Sequence, residues 1–197
     1  MESSTFDLHI HSIYSGHSVI KPRTIVKQAK KIGLQGIAIT DHDTCRAWKQ
    51  TMQAGKEFKI QIVKGEELKV TMNGKKAGEL MALFLKEPVK AREIHDVIDE
   101  IKKQNALLIV PHPFDLFRRH FKWLSEFNRK LNAVEGFNAR CFSPDFNQEA
   151  QKFAKNTVTL AILEDKRQGF RVEDMVDIAD EEGRRQVWQR LFEGVKI

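Results

Sequence analysis

Three histidines fall within nine positions of FDLHIHSIYSGHSVI: His9, His11 and His17. Histidine is costly to bury unless something binds it. Side chains alternate along a strand, so Asp7, His9 and His11 share one face of DLHIH, and Leu8 and Ile10 share the other. Two imidazoles so placed can converge on one metal ion, or they can be a hydrogen-bonded pair in the core. His42 ends the apolar run IAIT between Asp41 and Asp43. There it can act as a ligand with a carboxylate neighbour orienting its ring, while Asp43 or Thr44 caps the following helix. His112, in LIVPHPF, stands between two prolines that fix its direction. In VKGEELKV, alternation sends one of Glu66 and Glu67 inward, and an inward carboxylate can bridge two ions. The residue facing out reads as an exposed charge. Glu79, at the start of GELMALFL, reads by itself as a surface residue on an edge. Histidine with carboxylate suits zinc, manganese or iron rather than calcium.

The elements that position these residues alternate. Strands are expected in TFDLHIH, GIAIT, IQIVKGEELKVTMNG, KKAGELMALFL, ALLIVPHPF, NAVEGFNAR and TVTLAIL. Helices are expected in PRTIVKQAKKIG, TCRAWKQTMQAGKEF, VKAREIHDVIDEIKKQN, roughly 115–131 and PDFNQEAQKFAKN, with two more closing the chain. Asn73-Gly74 is a hairpin turn signal. Alternation of this kind implies mostly parallel pairing. So many units in 197 residues fit a small α/β barrel better than an open sheet. Five of the seven histidines lie at or just after the C-terminal end of an expected strand, where α/β barrels carry their chemistry; His95 and His120 are placed in helices.

The composition, 41% hydrophobic and 30% charged, is that of a globular protein. No run approaches the ~18 apolar residues of a membrane helix. The first residues show no secretory pattern, so a cytoplasmic protein with reduced Cys45 and Cys141 is expected. A net charge of +6 suits an anionic substrate such as a phosphate. No basic run with interleaved aromatics points to a dedicated nucleic-acid face.

DLHIHS, ITDHDT, GEEL and PHPF, in that order, resemble the PHP (polymerase and histidinol phosphatase) superfamily over roughly residues 5–140. The resemblance implies a distorted (β/α)7 barrel, here a single domain over 1–197, with two or three divalent metal ions. It implies hydrolysis of phosphate esters by a metal-activated water. By motif, His9 and His11 match ligands of a first metal, Glu67 a bridging carboxylate, and His112 and Glu79 ligands of a second. His42 matches a ligand of a third metal or of substrate phosphate, and His17 a loop ligand. Asn138 and Arg140 fall where relatives line the substrate pocket, and Arg140 suits a phosphate. His42 and Arg140 are thus the catalytic candidates, and His17, Asn138 and Arg140 the substrate-binding ones. The expected substrate is a small phosphomonoester or nucleotide. A proofreading-type nuclease is the alternative on the same site.

The match breaks at the end. The family closes its site with an aspartate-x-histidine pair on the last strand, but no histidine follows His120. With Gly169 aligned to the glycine that usually follows the pair, Ala161 and Leu163 occupy the ligand positions. Glu164 and Asp165 are the nearest carboxylates, and they read as a solvated helix cap. The chain from about Thr157 is therefore divergent, and a non-catalytic metal- or phosphate-binding protein is the third reading.

Overall fold

The computed structural model describes residues 5–156, 160–163 and 170–171. Eight strands form one sheet in the order β7-β6-β5-β4-β3-β2-β1-β8. They are β1 (Thr5–Ile10), β2 (Gly36–Ile39), β3 (Gln61–Met72), β4 (Lys75–Leu83), β5 (Leu107–Val110), β6 (Ala133–Phe137), β7 (Leu160–Leu163) and β8 (Phe170–Arg171). The helices are α1 (Pro22–Lys31), α2 (Trp48–Phe58), α3 (Ile94–Lys103), α4 (Leu124–Phe127) and α5 (Pro144–Asn156).

Local chemistry sets these boundaries. Pro22 starts α1, where its missing N–H costs nothing, and Lys30 and Lys31 face the negative end of the helix dipole. Gly33, at φ 84°, turns the chain out of the helix. In α3, Ile94, Val97, Ile98 and Ile101 recur at helical spacing and are all buried. Asn73 and Gly74 take φ values of 52° and 73°, as the tight hairpin between β3 and β4 requires.

That hairpin changes the sheet. The pairs β1–β2, β2–β3, β5–β6 and β6–β7 are parallel. The pairs β3–β4 and β4–β5 are antiparallel, as is β8 on β1. The sheet is therefore mixed rather than mostly parallel, because a two-residue turn can only reverse the chain.

The sheet also curls. A hydrogen bond of 3.0 Å joins His9 on β1 to Glu135 on β6, yet four strands separate them in the sheet order. At the usual interstrand spacing a flat sheet would hold them roughly 24 Å apart. The described strands thus make the distorted α/β barrel.

Three local expectations are corrected. Residues 115–131 do not form one helix; only α4 and a following 3-10 turn, Asn128–Lys130, are helical. Asp115 captures the Phe117 N–H, and the Lys122 N–H goes to the Ala77 carbonyl on β4. The side chains Phe121, Leu124 and Phe127 still bury at the spacing that suggested a helix. Asp43 does not cap α2, which begins at Trp48; its carboxylate accepts from the Lys69 N–H and pairs with the Lys69 and Arg92 side chains. Glu66 is not exposed. It is buried on the face of β3 opposite Glu67, where it accepts from Cys45 Sγ and the Val89 N–H.

The expected helices after β7 lie outside the described residues, as do Glu164, Asp165 and Gly169. No helix among the described residues is long and apolar enough to cross a membrane.

Candidate metal and phosphate site

The ends of six strands bring the chemistry together. Glu67, on β3, is the hub. Its Oε2 lies 3.2 Å from His9 Nε2, 3.0 Å from His11 Nε2 and 3.3 Å from His42 Nε2. Its Oε1 lies 3.1 Å from His112 Nε2. Glu79, inward on β4 and buried, reaches within 3.7 Å of His112 and 3.8 Å of His42. The reading of Glu79 as an edge surface residue does not hold, since β4 runs between β3 and β5. His17, on the loop after β1, is more exposed; its ring stands 4.8 Å from His11 and 5.0 Å from His42.

Three overlapping groups result: His9, His11 and Glu67; Glu67, Glu79 and His112; and His11, His17 and His42. Within each, ligand atoms lie within 4.8 Å of one another. All seven residues singled out in the sequence as metal ligands belong to these groups.

Their neighbours decide which ring nitrogens are free. Glu135 Oε1 lies 3.0 Å from His9 Nδ1. An ionised carboxylate only accepts, so Nδ1 carries a hydrogen and Nε2 is the ring nitrogen turned toward Glu67. Ser15 donates its hydroxyl hydrogen to Asp41 at 2.6 Å, so its oxygen accepts from His11 Nδ1 at 3.1 Å. His11 Nε2 is therefore presented as a lone pair. The two Nε2 atoms are 3.1 Å apart. A shared proton fills this point in the metal-free protein, and the same three donor atoms can hold a metal ion in its place.

The charges of the site are set by their neighbours. Burial works against charge on His9, but Glu67 and Glu135 outweigh it and hold its pKa well above the ordinary value. Burial also works against Glu67, yet His9, His11 and His112 keep it well below the usual carboxylate range. Burial pulls His42 down to about 4, leaving a neutral imidazole able to bind metal at neutral pH. Burial, with Glu67 adding repulsion, lifts Glu79 to about 7. His42 Nδ1 and His112 Nδ1 are buried with no hydrogen-bond partner. The backbone at His112 takes φ 33°, a strained conformation for a residue with a side chain. The flanking prolines and the His112 N–H bond to Glu135 at 2.7 Å hold it.

Above these groups opens a cavity of about 360 Å³, whose lining includes Lys69, Arg118, Arg119 and Arg140 with the imidazoles. Arg140 is among the residues that line this cavity. Asn138 instead borders the adjoining cavity, of about 740 Å³, beside His9. Its amide donates to Glu135 at 3.0 Å. His95 and His120 stay apart; His95 packs on Phe127 in α3, and His120 lies in an irregular segment.

Sequence reasoning missed Glu135, Ser15, Lys69, Arg118 and Arg119, and it gave Asp41 as a neighbour orienting His42, whereas its bond to Ser15 orients His11. Glu135 lies in the strand AVEGF, where β6 is buried over its first four residues. Arg118 and Arg119 were hidden by the reading of their segment as a helix.

The PHP domain family model matches residues 7–170. The chain belongs to the PHP domain family. Among PHP relatives, an uncharacterized protein of Methanocaldococcus jannaschii is 40% identical over 146 residues, covering 68% of this chain and 81% of that one. A PolC-type DNA polymerase III of Caldanaerobacter subterraneus subsp. tengcongensis is 23% identical over 145 residues, which cover 68% of this chain and 10% of the polymerase. Among solved structures, a candidate metal-dependent phosphoesterase from Bifidobacterium adolescentis superposes with a TM-score of 0.69 at 16% identity, over 95% of this chain and 96% of that one. The PHP fold is thus shared well beyond recognisable sequence identity.

In this PHP chain β7 pairs with β6, with Ala161 opposite Val134 and Leu163 opposite Phe137. The sequence of β7, LAIL, holds no residue type that ligates a metal.

Proposed function

We propose that this PHP domain is a metal-dependent phosphoesterase that hydrolyses a phosphate monoester. The observation that carries this is the set of three overlapping groups of histidine and glutamate, two of them sharing Glu67, beside a cavity whose lining includes Lys69, Arg118, Arg119 and Arg140. The donor set fits zinc, manganese or iron. His9, His11 and Glu67 would hold one ion and Glu67, Glu79 and His112 a second, while His17 and His42 would serve a third ion or the phosphate, since His11 has one free lone pair. Divalent ions there supply Lewis acidity toward phosphoryl oxygens and lower the pKa of bound water toward ~7.

The chain's own residues do the rest. Glu135 and the Asp41–Ser15 pair orient His9 and His11 so that their free nitrogens point inward. The four cations draw in a phosphate and hold its oxygens; an arginine offers paired N–H groups for this. His42, neutral and at the cavity wall, is placed to touch either the third ion or the phosphate. Arg140, just after β6, would contact the phosphate from the same cavity wall as the imidazoles.

The test is metal content on protein purified without chelator or metal-affinity tag, followed by hydrolysis of an aryl phosphate with added manganese. Two or more ions per chain and turnover are expected. Protein that takes up no metal and cleaves nothing overturns the proposal. A second reading rests on LAIL, the last strand without a ligand. It is a PHP-fold protein that binds metal and phosphate without turnover. Metal uptake with no hydrolysis of any phosphoester would select it.

A further inference from the structure

Two large aromatic side chains stand in solvent beside the cationic cavity. Phe117 is 72% exposed and Phe142 is 76% exposed. Their rings lie against each other, with centroids 4.4 Å apart and planes tilted by 43°. Phe146 stands behind, 6.5 Å from Phe117. Single exposed apolar residues are ordinary, but a paired patch next to a functional site calls for a ligand.

Both rings are held by turns that hang from the site. Asp115, buried, accepts from the Phe117 N–H and pairs with Arg118 Nε at 3.5 Å. Its own N–H bonds the His112 carbonyl at 3.2 Å. On the other side, Asn138 Oδ1 accepts from the Arg140 N–H, and the Cys141 N–H bonds the Asn138 carbonyl. Arg118 Nη2 reaches the Arg140 carbonyl at 3.5 Å and ties the two turns together. Thus Arg118 and Arg140 line the cavity, while the paired rings stand next to them in the chain, Phe117 one residue before Arg118 and Phe142 two after Arg140.

A patch of two rings flanked by arginines is small for a protein partner, and its charge selects an anion. A planar ring joined to a phosphate matches both halves. We propose that Phe117 and Phe142 form a stacking subsite for the base of a nucleotide whose phosphate lies among Lys69, Arg118, Arg119 and Arg140. This rests on the proposed phosphoesterase reading for its chemistry, but not for its binding. A base stacked on an aromatic side chain contributes ~1–3 kcal/mol, equivalent to about 5- to 150-fold in affinity.

The experiment compares AMP with ribose 5-phosphate, which carries the same phosphate and sugar without the ring. kcat/KM is measured for both on wild type and on Phe117→Ala, Phe142→Ala and the corresponding leucine variants. Wild type is expected to prefer AMP by about 10-fold. The variants should lose that preference and leave ribose 5-phosphate hydrolysis unchanged. Leucine keeps the apolar bulk and removes the ring, so it separates stacking from folding.

In parallel, displacement of a fluorescent etheno-adenosine monophosphate by AMP or inorganic phosphate reads binding without turnover. Tighter binding of AMP than of phosphate, with no hydrolysis, supports the subsite and sinks the phosphoesterase reading. Equal binding of the two, or an AMP preference that survives both leucine substitutions, overturns the subsite. A 5′-phosphorylated trinucleotide that competes better than AMP marks the end of a chain as the source of the base, and equal competition marks a mononucleotide; either result supports stacking.

Discussion

Glu135 shows what a single side chain contributes to the site without facing the cavity. It accepts from His9 Nδ1, from the His112 N–H and from the Asn138 amide. One carboxylate thus orients candidate ligands on β1 and after β5. Glu135→Gln keeps the shape but can no longer hold His9 in the required tautomer at full strength. We expect a 10- to 100-fold loss of metal affinity, roughly the cost of removing such a partner, with an unchanged circular dichroism spectrum; unchanged metal titrations would sink the idea. Glu79 behaves oppositely. Burial and Glu67 raise its pKa to about 7, from an ordinary value near ~4.3. In chelator-treated protein, the folded state therefore holds this proton more tightly than the unfolded chain. Stability from this group is complete below pH ~4, and is lost as pH rises to about 7. Glu79→Gln should thus melt higher than wild type at pH 8 in chelator and match it at pH 4. A difference that does not depend on pH would refute that account. His9, His11, His42 and His112 were legible in the sequence because each sits in or just after a strand, where an apolar run stops. Glu135 was not, because one acid within a strand reads as ordinary alternation, and its partners are far away in sequence.

At the scale of elements, Gly78 governs how two segments approach. It sits in β4 at φ 125°. A Cβ there would lie 2.4 Å from the His120 carbonyl oxygen and 2.6 Å from Phe121 Cα. Neither backbone atom can yield without moving the 115–123 segment. Gly78→Ala should cost about 2 kcal/mol or more, combining a strained φ with backbone overlap. Because Glu79 follows directly and Arg118 and Arg119 belong to the displaced segment, phosphate affinity should fall together with the melting temperature. Loss of stability alone, with phosphate binding intact, would show that the two segments are uncoupled. The same contact explains what the sequence could not disclose. Phe121, Leu124 and Phe127 keep a helical spacing, yet the Lys122 N–H is taken by Ala77 on β4, a tertiary bond that no local pattern announces. Elements without such a competitor were read closely. The helix expected over PDFNQEAQKFAKN is α5 residue for residue, and Asn73-Gly74 marks the hairpin.

For the whole molecule, the alternation of strands and helices made a barrel the better expectation, but closure itself appears only in contacts between distant strands. His9 meets Glu135 across the sheet, and Glu67 meets imidazoles from β1, from after β2 and from after β5. These groups sit where the two arms of a curled sheet face each other, so an ion bound there ties the arms together. The unfolded chain has no such convergence. Metal binding is therefore folding free energy, worth RT ln(1 + [L]/Kd), or about 2.7 kcal/mol when free metal is 100-fold above its dissociation constant. Chelator should lower the melting temperature by several degrees, by roughly 2–4 °C per kcal/mol for a domain of this size. Added zinc or manganese should restore it. Glu67→Gln should melt at one temperature with or without metal, because the oxygen shared by His9, His11 and His42 no longer carries the charge. Differential scanning calorimetry in the two conditions decides this. A Glu67→Gln protein that still gained the wild-type increment from metal would place the ions elsewhere. The missing ligand pair of the last strand would then signal a relocated centre rather than a weakened one.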